Sequence, residues 1–299
     1  MAFMNFDTQI LPGRVLAALF VLLEASPALA GPLPLWELET SGNRVLVMGS
    51  VHFLRASDYP LPDGLMDAYE QADALVMEID MDDLDPMATL MTMATMGTDR
   101  SGRTLKDMIG APAYNDASAK ANELGVPLDL FSQFKPWFAA LSITQMRMMQ
   151  LGFDPSWGIE TRLTQKAATD GKAIHGLETL EEQLGFMDNL DSSSQRTFLL
   201  QSLDDAASVQ DEIEVIVSSW REGNTKNMET LLIAGIATAP ALYDAILVQR
   251  NRSWVEPIRD LTRQSDNYLI IVGAMHLVGN NSVLEMLEDA GIKSRQLSN

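Results

Sequence analysis

Two segments far apart in the chain align without a gap: Leu46-Val47-Met48-Gly49-Ser50-Val51-His52-Phe53-Leu54 and Ile270-Ile271-Val272-Gly273-Ala274-Met275-His276-Leu277-Val278. Each reads as a continuous apolar run, a glycine, two residues and a histidine. An apolar run without polar alternation fits a strand covered on both faces, and such strands belong to parallel sheets sandwiched between helices. The glycine is expected to let the chain turn tightly as it leaves the sheet. The histidine then points into the crevice beyond the strand's carboxyl end, where open α/β sheets bind ligands. With 19 Gly in 299 residues and three His in all, the pattern at two of the histidines is a chance event of about 1%. The plainer alternative makes each His a capping residue of a repeated strand-to-helix turn.

The sequence between and around the two segments agrees with an α/β chain. Residues 60–72 carry Leu65, Met66, Ala68, Tyr69 and Ala72 at helical spacing, and Ala74-Leu75-Val76-Met77 reads as the next strand, ending in Glu78-Ile79-Asp80. Strand, helix and strand in about 35 residues make a βαβ unit with a parallel pair. The long middle, about 86–265, reads as mainly helical: a helix from Lys135-Pro136 to residue 151, a capping box of Thr179 and Glu182, and a long amphipathic helix over 192–220. Two short strands, 128–130 and 173–175, are expected inside it, after helix ends at Gly125 and Gly171. A strand over 268–272, a helix over 282–290 and an edge strand near Ile292 close the chain. With no linker rich in Pro, Gly or Ser, the expected architecture is one α/β domain over 31–299. Its central sheet is largely parallel with helices on its faces, and a mainly helical insertion spans about 86–265.

Residues 1–30 read as a cleaved signal peptide. Arg14 precedes the apolar run of residues 15–23, and Ala28-Leu29-Ala30 supplies an Ala-x-Ala exit. The run is too short to span a bilayer stably, so cleavage near Ala30 and a periplasmic or secreted mature chain, with no stable membrane insertion, are expected. The formal charge of -20, from 21 Lys+Arg and 41 Asp+Glu, excludes a phosphate backbone as partner, because nucleic-acid binding needs clustered cations. The chain has no Cys, which removes disulfides, thiolate nucleophiles, zinc ribbons and iron–sulfur clusters together.

Any metal must then be held by N and O donors. Glu78 leaves the sheet at the same edge as His52, and one Glu with two His makes a ligand set for Mn, Co or Zn with positions left for water. A bound ion of this kind depresses the pKa of water and polarises a carbonyl. Glu160, in Trp157-Gly158-Ile159-Glu160, is a candidate fourth ligand or general base in the first turn of a helix, or a partner of the helix dipole. His175 ends a short strand that could reach the same crevice, and Arg250 could stabilise an oxyanion or pair on the surface. Met87, Met91, Met93 and Met96 admit a Cu(I) reading or an adaptable face in a core or substrate groove.

Taken together, Gly-Ser-Val-His, Gly-Ala-Met-His, Glu78, Trp157-Gly158-Ile159-Glu160 and Gly176-Leu177-Glu178-Thr179 with Glu181-Glu182-Gln183 resemble the TraB/GumN family, which includes the Tiki proteases. The resemblance covers nearly all of residues 33–299. It implies a metal-dependent hydrolase, a metalloprotease in the Tiki members, with a fold related to the ChaN and erythromycin-esterase group. Carried over residue by residue, it makes His52, Glu78 and His276 the core metal site, with Glu160 beside them. No Gly-x-Ser-x-Gly, His-Glu-x-x-His or phosphate-loop motif occurs, so metal-assisted hydrolysis of a peptide or small molecule is the leading expectation. Its rivals are a metal-free, esterase-like hydrolase with a His base and a non-catalytic binding protein for haem, metal or glycan.

Overall fold

A computed structural model describes residues 31–237 and 239–299. The expected signal peptide lies outside the described residues. The parallel strands expected from the apolar runs are present as β2 (Val45–Ser50), β3 (Ala74–Met77), β4 (Ala173–Gly176) and β5 (Tyr268–Gly273). They join β1 (Pro32–Leu38) and β6 (Ser294–Ser298) in a six-stranded sheet of order β4-β3-β5-β2-β1-β6. Strands β4, β3, β5 and β2 run parallel, while β1 is antiparallel to both β2 and β6.

Every residue of β2 and β5 is buried, and the pleat sends alternate side chains to opposite faces. Leu46, Met48, Leu75, Met77, Leu269 and Ile271 pack on one side, beneath helices Asp63–Gln71 and Ile159–Asp170. Val45, Val47, Val76, Ile270 and Val272 pack on the other, beneath helices Gln249–Leu261 and Val283–Asp289. Two-sided cover explains the unbroken apolar runs.

The helical insertion has an apolar cluster of its own, in which Leu105, Ala117, Ile143, Leu199 and Leu203 meet. Helix Ser192–Arg221 ties that cluster to the sheet: Leu199 and Leu203 lie in the insertion, while Val217 and Trp220 lie under the strands. Trp220 Nε1 donates to the Gly49 carbonyl at 2.7 Å, fixing the helix to the strand that leads to His52.

Three expectations about elements change. Residues 128–130 are not a strand but part of the one-turn helix Leu128–Phe131. Leu128 and Phe131 are buried while Leu130 is 60% exposed, so the apolar spacing that matters there is three rather than two. Strand β1 gives no clear sequence signal, because Pro32 and Pro34 break the donor pattern of a strand. The βαβ unit is also opened: β5, from the far end of the chain, lies between β2 and β3. That insertion places the exit of His276's strand between those of His52 and Glu78.

Candidate functional site

The carboxyl ends of β2, β5 and β3 deliver His52, His276 and Glu78 to the floor of one cavity of about 470 Å³, which Glu160 and Arg250 also line. Glu78 is the first residue beyond β3. Its Oε1 accepts the Gly273 N–H at 2.7 Å, and its Oε2 accepts from Arg250 Nη2 at 2.5 Å and Gln183 Nε2 at 3.1 Å. Gly273 provides space rather than an unusual turn, since its φ is -52°. A Cβ there would stand 3.3 Å from Glu78 Oε1, 3.5 Å from His276 Cδ2 and 3.6 Å from His52 Nε2. A side chain would fill the point on which the three residues converge.

The two histidines are not equivalent, although their sequences align. In the sheet Gly49 pairs with Val272 and Ser50 with Gly273, a stagger of one residue relative to the sequence alignment. His276 therefore sits in the one-turn helix Ala274–Leu277 and is buried, whereas His52 lies in an irregular loop with its ring 58% exposed. The loop is held from below: Ile159 N–H donates to Val51 O at 3.2 Å, and a Cβ on Gly158 would stand 2.2 Å from His52 O. Only glycine lets the start of helix Ile159–Asp170 approach so closely.

Each imidazole is oriented through Nδ1. His52 Nδ1 lies 2.9 Å from Glu160 Oε1, which also accepts the Ser50 hydroxyl. His276 Nδ1 donates to Asn251 Oδ1 at 2.6 Å, and Asn251 Nδ2 donates in turn to Asn281 O at 2.7 Å, which fixes the amide's orientation. Tying Nδ1 to an oxygen sets the tautomer and leaves Nε2 for the site. The electrostatic consequences differ. The Glu160 carboxylate pushes His52 up to about 9, against burial, while burial pushes His276 down to about 3. Burial raises the Glu160 carboxyl, but His52 and the Ser50 hydroxyl more than reverse this and leave it low. Glu160 is thus placed to orient His52, and its Oε2 is buried without a partner.

Arg250 is not a surface residue. Its guanidinium lies between Glu78, Glu178 and His276, 4.8 Å above the Trp254 ring. Nε donates to Glu178 Oε1 at 2.9 Å, Nη2 to Glu78 and to Glu178 Oε1 at 2.6 Å, and Nη1 to His276 Nε2 at 3.1 Å and Ile246 O at 3.4 Å. These contacts use all five N–H groups, so the expected direct role at an oxyanion gives way to one of placing the carboxylates. A π-helical turn, Asp244–Val248, immediately precedes the helix that carries Arg250 and supplies the Ile246 carbonyl, a local distortion frequent at functional sites.

His175 is the residue that the fold does not bring in. It lies within the edge strand β4, is exposed, and is absent from the lining of the cavity. What reaches the cluster from β4 is Glu178, two residues past the strand end, whose N–H donates to Glu78 O at 2.9 Å. Glu178 follows its strand as Glu78 follows β3, and that repeated strand-end carboxylate was the available signal. The four methionines also separate: Met87 and Met91 are exposed, whereas Met93 and Met96 pack against Trp137 and Leu184. They form no common thioether site.

A family model described as the TraB/PrgY/gumN family matches residues 34–296. The chain belongs to this family. The matched residues include β2 to β5 whole, all but the outer ends of β1 and β6, and both histidine turns. Among curated proteins, the "Uncharacterized protein YbaP" of Escherichia coli (strain K12) is 26% identical over 260 residues, covering 85% of this chain and 92% of that protein. The protein of the same name from Shigella flexneri matches with the same identity and coverage. No solved structure matches the chain.

The metal expected from the family resemblance can be tested against the donors. Among the described residues, no three His, Asp or Glu side chains already stand as a metal-holding group, and Arg250 bonds both Glu78 and His276. The chemistry of the donor set nevertheless fits a divalent cation. Both imidazoles are oriented through Nδ1, Glu78 Oε1 faces the space beside Gly273, and Glu160 Oε2 lacks a partner. Glu78, Glu160 and Glu178 also bring three carboxylates to the site against two cations, Arg250 and the protonated His52.

Proposed function

We propose that this TraB/PrgY/gumN member is an exported, metal-dependent hydrolase that cleaves amide bonds, a peptidase of the kind its resemblance to the Tiki proteases implies. A relation to the ChaN and erythromycin-esterase folds goes with that reading. The observation that carries it is the convergence of His52 Nε2, Glu78 Oε1 and the His276 ring on the empty side of Gly273. His52, Glu78 and His276 would hold a Mn, Co or Zn ion. Such an ion supplies Lewis-acid polarisation of a carbonyl and acidifies water.

The chain's own residues have separate parts. Glu160 holds the His52 ring and accepts its Nδ1 proton in a hydrogen bond. Asn251 does the same for His276, and Arg250 keeps Glu78 ionised and aimed at Gly273. The apolar walls above this floor strengthen the charge interactions at the buried Glu78, His276 and Arg250.

A second reading, hydrolysis without metal, is favoured by one specific observation: the guanidinium of Arg250 already satisfies Glu78 and His276. In that case the His52–Glu160 pair handles the proton of the attacking water. Metal analysis of the purified protein, with a peptide-library digest in Mn, Co, Zn or chelator, decides between them. Cleavage lost on chelation and restored by one ion supports the first reading. Cleavage indifferent to exhaustive chelation supports the second, and no cleavage of any peptide under any condition removes both.

A further inference from the structure

The walls of the cavity differ sharply from its floor. Above the carboxylates and imidazoles, Met81, Met93, Met187 and Met275 face inward together with Phe186 and Ile246. Methionine is unbranched and polarisable, so such walls adapt to aliphatic groups of different shape. The volume, about 470 Å³, is within the range of small-molecule sites. No lysine lines the cavity, and Arg250 is its only arginine. All five Arg250 N–H groups are already engaged. A substrate carboxylate entering here would lose its water and find no free guanidinium or ammonium, and the remaining cation, His52, is already paired with Glu160 Oε1 at 2.9 Å, so the exchange is costly.

We propose that the cleft selects an uncharged, aliphatic side chain beside the scissile bond. The preferred substrates are apolar peptide segments cleaved internally, rather than acidic peptides or chain ends with a free carboxylate. This rests on the hydrolase reading of the same site, and it predicts binding as well as turnover.

The test is calorimetric, on the purified full-length protein without added metal, using four probes: acetyl-Leu-Leu-Leu-amide, its free acid, acetyl-Glu-Glu-Glu-amide and acetyl-Lys-Lys-Lys-amide. The leucine amide is expected to bind, with the other three at least about tenfold weaker. Met93→Asp should weaken the leucine amide by about tenfold or more, whereas Met87→Asp, on the same helix but outside the cavity, should leave it unchanged. Phe186→Ala, which adds no charge, is the second variant should Met93→Asp fail to fold, and it too should weaken binding. Equal binding of the free acid or of either charged peptide, no binding of the leucine amide, or wild-type affinity in folded Met93→Asp or Phe186→Ala would overturn the proposal. Binding of the leucine amide without cleavage of any peptide would leave the proposed selectivity standing and remove the hydrolase reading instead.

Discussion

Replacing Arg250 by Met removes the guanidinium at the centre of the cluster while keeping a long side chain in its place. The Arg250 side chain is 8% exposed, and those of Glu78 and Glu178 are 9% and 4% exposed, so water does not take over the lost bonds. Removing one partner of a buried ion pair costs about 3–5 kcal/mol, because the remaining charge is left uncompensated. Here one cation serves two carboxylates and His276. The expected loss for Arg250→Met is therefore at the upper end, about 4–5 kcal/mol, against a total of about 5–15 kcal/mol for a typical protein. The pH dependence separates this effect from lost packing. In the parent, burial pushes the Glu78 carboxyl up, but Arg250 leads the interactions that pull it well below the ordinary carboxylate range. A folded-state pKa below the unfolded one contributes stability that is present above about pH 4.3 and is lost as the pH falls toward the folded value. Without Arg250 the leading interaction that lowers Glu78 is gone, so its carboxyl moves up from its place in the parent. The stability that the parent loses as the pH falls below about 4.3 is therefore smaller in the variant, and the gap between the two narrows from about pH 5 to about pH 3. Urea unfolding of chelated protein at pH 7 and across that range, followed by tryptophan fluorescence, measures both quantities. Adding Glu178→Gln to Arg250→Met should recover part of the loss. A variant within about 1 kcal/mol of the parent at pH 7, or a gap that does not narrow between about pH 5 and pH 3, would refute the assignment of Arg250 as the cation holding these carboxylates.

The remaining predictions concern the two imidazoles. Asn251→Leu should free the His276 tautomer and lower turnover by about 10–100-fold, whereas Asn251→Asp, which keeps the acceptor, should retain the Nδ1–H form; nitrogen-15 NMR of the ring reads the difference directly. Either His52→Ala or His276→Ala should abolish metal retention together with turnover, checked by elemental analysis and peptide digestion; full metal content in either variant would remove that residue from the ligand set. Gly158→Ala must displace the His52 carbonyl, since its Cβ would stand 2.2 Å away. The expected cost is about 1–3 kcal/mol, with a fall in turnover larger than the loss of folded protein explains; unchanged kinetics would show that the His52 loop tolerates the shift.

The inner strands could be read because β2 and β5 are covered on both faces, and that burial is written into Val45-Leu46-Val47-Met48 and Leu269-Ile270-Ile271-Val272 as unbroken apolar runs. The capping box of Thr179 and Glu182 was equally legible, since both of its hydrogen bonds form between residues three apart. Local signals of this kind say nothing about strand order. That β5 enters between β2 and β3 is decided by long-range packing, and it is this order that sets His276 between His52 and Glu78. The same limit explains Glu178 and Asn251. Glu178 matters through contacts with Arg250 and Trp254, 72 and 76 residues away, and Asn251 through His276, 25 residues away.

The one-residue stagger between β2 and β5 shows how a repeated motif can serve two ends. If the two histidine turns were placed equivalently in the sheet, Gly49 would pair with Gly273; instead Ser50 does, and the two chains leave the sheet differently. Gly49 lies against the backbone of Ala274, where an added Cβ would come within 3.2 Å of its Cα, so its glycine serves packing between the two exits. Gly273 faces the site, and its missing side chain is the space that Glu78, His52 and His276 share. The buried His276 is thereby kept neutral by desolvation, while the exposed His52, pushed up to about 9 by Glu160, carries the proton. Without a bound cation the two imidazoles thus differ in protonation state, one fixed by an amide and one by a carboxylate, although their sequences align.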